Sequence, residues 1–170
     1  MINQKPNIQK FVVCSNVIIR KDGKYLLMKR SSNKKIAPNI IHPFGGKIDK
    51  DENPYDGAIR EIKEEVGIDI NNLKLEAVIL ELLDKKNSPV NWLIFYFSAD
   101  YKSGSIISSE EGEVVYMTPE EILVSDLFPS FRSIVSNILN SNDGTVFTTN
   151  SYHGIQNKMK ETSKNICIVS

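Results

Sequence analysis

Cysteine is scarce in this sequence: Cys14 and Cys167 are the only two, at opposite ends of 170 residues. A disulfide framework or a thiolate metal site needs more thiols, set closer together. A reducing, cytoplasmic setting is therefore expected. There is no surplus of one charge either, because 21 Lys and Arg balance 21 Asp and Glu. Attachment to nucleic acid or to an anionic membrane through bulk charge needs a basic excess, so neither partner is expected. The longest apolar run, Trp92 to Phe97, falls far short of a membrane span. Met1 to Lys10 is polar and lacks the apolar centre of a secretion signal. Histidine is limited to His42 and His153, whose spacing suits no shared metal site. His42 reads as a loop residue near a cleft and His153 as a surface residue.

What remains is ordinary globular material, 41% hydrophobic and 25% charged, of a length that suits one domain. Phe11 to Ile19 is a mostly apolar stretch and reads as a largely buried strand. Asp22-Gly23 marks a hairpin turn, with Tyr25 to Met28 as the returning strand. Ser31 to Asn39 is polar and reads as a loop. Pro43-Phe44-Gly45-Gly46 is a turn with close backbone approach. Pro54 to Val66 reads as a helix, with Asn53 as its cap and Gly67 just past its end. Strands are expected at Leu73–Leu82, Trp92–Phe97, Glu113–Met117 and Thr145–Thr149. Thr118 starts a capped helix, and Phe131 to Leu139 has helical spacing. Trp92, in an apolar strand, is expected in the core. Residues 1–150 form one expected domain, an α/β fold with a mixed sheet. Residues 151–170 form a polar tail, expected to be a short helix or disordered.

The chemistry lies between Gly46 and Ile68. On a helix, Glu61, Glu64 and Glu65 crowd one face, because residues three and four apart are neighbours. Such repulsion has a bland reading, a solvated acidic face, and a functional one, a divalent cation. Mg²⁺ and Mn²⁺ take hard oxygen ligands and commonly share them with substrate phosphates. Ala58, Ile59, Ile62 and Val66 give the helix an apolar flank, so it is packed along part of its surface. Arg60 can pair with Glu52 and brace the preceding loop.

This segment resembles the Nudix box: Gly, five residues, Glu, seven residues, then Arg-Glu-aliphatic-any-Glu-Glu-any-Gly-aliphatic. Gly46, Glu52, Arg60, Glu61, Ile62, Glu64, Glu65, Gly67 and Ile68 all fall in place without insertion. Composition alone yields such a match about once in 10⁹ starting sites. The flanking strands extend the resemblance to roughly Phe11–Leu139. It implies a Nudix-type α/β/α sandwich that hydrolyses a nucleoside diphosphate linked to another group, with Mg²⁺ or Mn²⁺. It implies Glu61, Glu64 and Glu65 as metal ligands beside the Gly45 carbonyl. Gly46, Glu52, Arg60 and Gly67 become structural support. A distal ligand from a later loop is also implied. Glu111 is preferred, with Glu110 and Glu113 behind it. Glu61, Glu64 and Glu111 are the candidates for general base.

The substrate is read more coarsely. Arg30 lies where MutT-type enzymes place a phosphate-touching base, and Phe44-Gly45-Gly46-Lys47 resembles enzymes that clean the nucleotide pool. Lys47 is a further candidate for substrate contact. Phe131 could stack on a base, although its spacing also suits the core. The Phe128-Pro129 step leads into Ser130-Phe131 rather than the base-reading Asn of some MutT-type enzymes. Asp84-Lys85-Lys86 lacks the Tyr of dinucleoside polyphosphate hydrolases, Pro89 lies late for the ADP-ribose type, and Leu26 to Ser31 only partly resembles the coenzyme A type. A nucleoside triphosphate, cut to monophosphate and pyrophosphate, is the expected small-molecule partner. Other diphosphates, or a nucleotide sensor without catalysis, are the alternatives. A homodimer is left open.

Overall fold

The computed structural model describes residues 10–83, 90–140, 144–153 and 160–169. Asp84-Lys85-Lys86 and Pro89 lie outside the described residues, as does part of the tail. The elements run β1(Phe11–Lys21), β2(Lys24–Arg30), β3(Ile41–His42), β4(Phe44–Lys47), α1(Pro54–Val66), β5(Asp69–Leu83), β6(Asn91–Ser103), β7(Gly112–Met117), α2(Pro119–Val124), α3(Pro129–Leu139), β8(Thr145–His153) and β9(Lys160–Val169). One mixed sheet has the order β3-β2-β1-β6-β5-β8-β9, with β4 also on β1 and β7 also on β2. The pairs β1–β6 and β5–β8 are parallel, and the other pairs are antiparallel.

Alternation along β1 sends successive side chains to opposite faces. Cys14 and Ile18 join a core with Ile79, Tyr96, Ile122, Phe131 and Ile134, under α2 and α3. Val17 and Ile19 join a second core with Phe97, Ala58, Ile62 and Val66, under α1. Both faces of the central strands are therefore covered, and β1 reads as a near-continuous apolar run for that reason. The result is an α/β/α sandwich with a mixed sheet, as expected.

Helix α1 has the boundaries its sequence signals. Asn53 Oδ1 accepts from the Tyr55 and Asp56 N–H groups at 2.9 and 3.0 Å. Gly67 adopts φ 76°, and its N–H donates to the Lys63 carbonyl at 3.2 Å. The cap at Thr118 is a full capping box, with Glu121 reaching back to the Thr118 N–H at 2.8 Å.

The tail departs from expectation. It was expected to be a short helix or disordered, but residues 160–169 form β9, antiparallel to β8, and β8 itself runs on to His153. The strands on both sides of residue 150 thus share the sheet. Ile166-Cys167-Ile168-Val169 is the apolar, β-branched run that supports a strand. Trp92 is half-buried at the margin of the α3-side core. Among the described residues no helix is long and apolar enough to cross a membrane.

Candidate active site

The short strand β4 sets the site against the sheet. Gly45 pairs with Asn16 and Gly46 with Ser15. Gly45 has φ 138°, and a Cβ there would sit 2.0 Å from the Ser15 carbonyl oxygen, so no other residue fits without moving the strand. A Cβ on Gly46 would meet the Glu61 carboxylate at 2.5 Å. The two glycines let the backbone pass directly against the acidic face of α1. Ser15 Oγ fastens the other end by donating to the Pro54 carbonyl at 2.6 Å.

Arg60 organises the acids around it. Its Nε and Nη2 donate to the two oxygens of Glu52 at 3.0 and 2.9 Å, the fork geometry that suits guanidinium and carboxylate. Nη2 also donates to the Lys47 carbonyl at 3.0 Å. The loop between β4 and α1 is thereby braced on the helix. Nη1 reaches Glu61 at 3.0 Å and Glu64 at 3.1 Å. The Glu52 carboxyl is held below its usual range, first by Arg60 and then by the Asp49 N–H.

The carboxylates differ sharply in setting. Glu65 accepts from the Gly45 N–H at 2.9 Å. Burial nevertheless pushes its pKa up to about 7, with repulsion from Glu61 and Glu111 adding to the rise and Arg30 opposing it. Glu61 is also raised by burial, against the pull of Arg60. Glu64 is the open one, its side chain 61% exposed. Gly45 was expected to offer its carbonyl; the contact formed here uses its amide.

A cleft of about 870 Å³ is lined by Lys29, Arg30 and Lys34 together with Glu110, Glu111 and Glu113, and the α1 carboxylates are not part of its lining. All three distal candidates therefore line the same cleft. Glu111 forms an ion pair with Lys34. Arg30 donates to the Ile36 carbonyl at 3.2 Å, and its buried Nε has no hydrogen-bond partner among the described residues. Lys47 is exposed at the end of β4. Phe131 is corrected: it is fully buried in α3, stacked on Tyr96 with ring centroids 6.4 Å apart, and offers no face to a base. Its helical spacing signalled the core. His42 lies in β3, its ring edge-on to Phe128 at 4.9 Å, and burial and then Arg30 push its pKa down to about 4. Lys34 escaped the sequence reading because its partner lies far along the chain and no spacing links the two.

Among the described residues, no three acidic, histidine or cysteine side chains already converge on one point. Arg60 Nη1 bridges Glu61 and Glu64. The donor set still suits a hard cation in kind. Glu65 and Glu61 are half-buried carboxyls whose pKa values are raised, and a divalent ion would supply the charge that lets them ionise together.

Comparison with known proteins decides the family. The NUDIX domain matches residues 10–138. The chain belongs to the Nudix hydrolase family. The Nudix match has nearly the bounds that the flanking strands suggested, and it places the chain among pyrophosphohydrolases. The chain is 32% identical over 111 residues to the uncharacterized Nudix hydrolase YvcI of Bacillus subtilis, covering 64% of this chain and 66% of that protein, just under two thirds. It is 30% identical over 125 residues to the CTP pyrophosphohydrolase of Escherichia coli, covering 71% and 86%. It is 34% identical over 87 residues to the mouse oxidized purine nucleoside triphosphate hydrolase, covering 51% and 54%. The Nudix fold is matched by the MutT protein of Bacillus halodurans with a TM-score of 0.79 at 21% identity, over 92% of this chain and 97% of that one.

Proposed function

We propose that this Nudix chain hydrolyses a phosphoanhydride of a nucleoside triphosphate to monophosphate and pyrophosphate, with Mg²⁺ or Mn²⁺. The observation that carries this reading is the acidic face of α1, seated on Gly45 and Gly46 and braced by the Arg60–Glu52 fork. The triphosphate is favoured by the relatives named for CTP and for oxidized purine nucleoside triphosphates. Glu61, Glu64 and Glu65 would hold the metal, with Glu111 and the Gly45 carbonyl as further donors. Such an ion neutralises phosphate oxygens and lowers the pKa of a bound water.

The chain's own groups do the rest. The Arg60–Glu52 fork fixes the loop, so the α1 carboxylates keep their place as charge arrives. Arg30 lines the cleft, and its guanidinium charge is suited to a phosphate oxygen. Glu61, Glu64 and Glu111 are the carboxylates able to take the proton of an attacking water. Glu64 is the exposed member of the three α1 glutamates.

Incubation with a panel of ordinary and oxidised nucleoside triphosphates, Mg²⁺ or Mn²⁺, should release pyrophosphate. The variant Glu64→Gln should lose at least about 10²-fold in kcat while keeping its circular dichroism spectrum. A folded native protein that turns over no panel member would reject the triphosphate. Full activity in E64Q would remove Glu64 from the mechanism.

A further inference from the structure

The pair Lys34–Glu111 bridges two loops that no strand pairing joins directly, residues 31–39 and 108–111. The backbone holds the loops in register. The Ser31 N–H donates to the Glu111 carbonyl at 3.0 Å, and the Glu111 N–H donates to Ser109 Oγ at 3.2 Å. Gly112 is pressed so closely on β2 that a Cβ would sit 2.3 Å from the Lys29 carbonyl oxygen. The main chain of Glu111 is thus fixed, and the freedom left lies in its side chain. That side chain is 46% exposed, while that of Lys34 is 28% exposed. The charge of Glu111 acts on two groups, pairing with the Lys34 ammonium and repelling the Glu65 carboxylate of α1.

We propose that Lys34 is a positioning residue that parks Glu111 until a polyphosphate enters the cleft, then changes partner. This rests on the function proposed above. A phosphate chain carries more charge than one carboxylate and competes for the Lys34 ammonium. Once that ammonium turns to phosphate, Glu111 has lost its cation and faces a new anion. A divalent ion held by Glu61, Glu64 and Glu65 would supply the positive charge that relieves the repulsion. The charges in the cleft fit this exchange, since Lys29, Arg30 and Lys34 are matched by Glu110, Glu111 and Glu113 before any ligand arrives. Lys34 thereby makes recruitment of the distal acid depend on the substrate.

Mn²⁺ binding to the nucleotide-free full chain, read from the electron paramagnetic resonance of free Mn²⁺, tests this without turnover. Lys34→Ala should tighten Mn²⁺ binding about two- to fivefold, the worth of a partly exposed ion pair. The gain should vanish in the double variant K34A/E111Q. It should also be absent from K29A, which removes a charge from the same cleft and leaves the pair intact. In steady-state assays K34A should raise KM more than it lowers kcat, and Lys34→Arg should restore both. Unchanged or weaker Mn²⁺ binding in K34A, or a gain that persists without Glu111, overturns the exchange and leaves the hydrolase reading standing. No Mn²⁺ binding by any variant overturns both.

Discussion

Glu81 is an acid placed where an acid is costly. It is 5% exposed in the middle of the sheet, and its Oε1 has no partner among the described residues. Burial pushes its pKa up to about 7, with only the Ser130 hydroxyl opposing. The folded state therefore binds a proton more tightly than the unfolded chain, whose Glu titrates near 4.5. The favourable contribution is complete below about 4.5 and is lost as the pH rises through 7. The variant Glu81→Gln should remove that loss. Its melting temperature should exceed the native value by at least about 3 °C at pH 8 and match it at pH 4. A gain of equal size at both pH values would exclude titration as the cause. Glu65, raised in the same direction, should leave some slope in the variant. The setting of Glu81 is not legible in the sequence. Glu81 sits among Leu80, Leu82 and Leu83, and which face of β5 it occupies depends on strand partners that no local pattern names. Glu65 differs because its spacing from Glu61 already placed it on the acidic face.

At the scale of the element, α1 was legible to the residue, because helix ends are written locally. An Asn that caps, a Pro at the first position and a Gly that accepts a left-handed φ suffice. Asn53→Ala should cost about 1 kcal/mol in urea unfolding, with most of the catalytic activity retained at saturating substrate. A loss of activity much larger than the loss of stability would mean that the cap also aims the carboxylates. Strand β9 is the opposite case. Its residues are polar in their first half, and only pairing with β8 makes a strand of them. His42, expected in a loop, lies in the two-residue strand β3 for a similar reason, since its hydrogen bonds go to β2 and its Ile41 backbone to Asp126 and Phe128. Phe131 lies at a spacing that serves both a core and a base platform, and Tyr96 of β6, stacked on it in the same core, decides between them.

At the scale of the molecule, two cores of side chains hold the sandwich, and neither includes the acidic face of α1. The fold therefore needs no cation to form. Mn²⁺ should raise the melting temperature by mass action, and chelation should return it to the metal-free value without loss of far-ultraviolet dichroism. Unfolding on chelation would show the ion to be part of the structure. The zero net charge of the chain now has a place within this architecture. Between Asp49 and Glu65 seven acids outnumber three bases, whereas in the cleft Lys29, Arg30 and Lys34 are balanced by Glu110, Glu111 and Glu113. The neutral total conceals one acidic segment.

The parallel pairing of β1 with β6 has a consequence for how the protein comes into being. Residues 11–20 find their β6 partners only at residues 91–100. A chain emerging from the ribosome thus exposes the whole Gly46–Ile68 motif well before the strand beneath it can be flanked on both sides. Helix α1 can flicker into shape early, but Gly45 has a complete sheet to lean on only after β6 has been made. Such distant closure slows folding and leaves β1, an apolar strand, bare in the interval. A nascent or truncated chain can therefore carry every residue of the motif and still lack a working site.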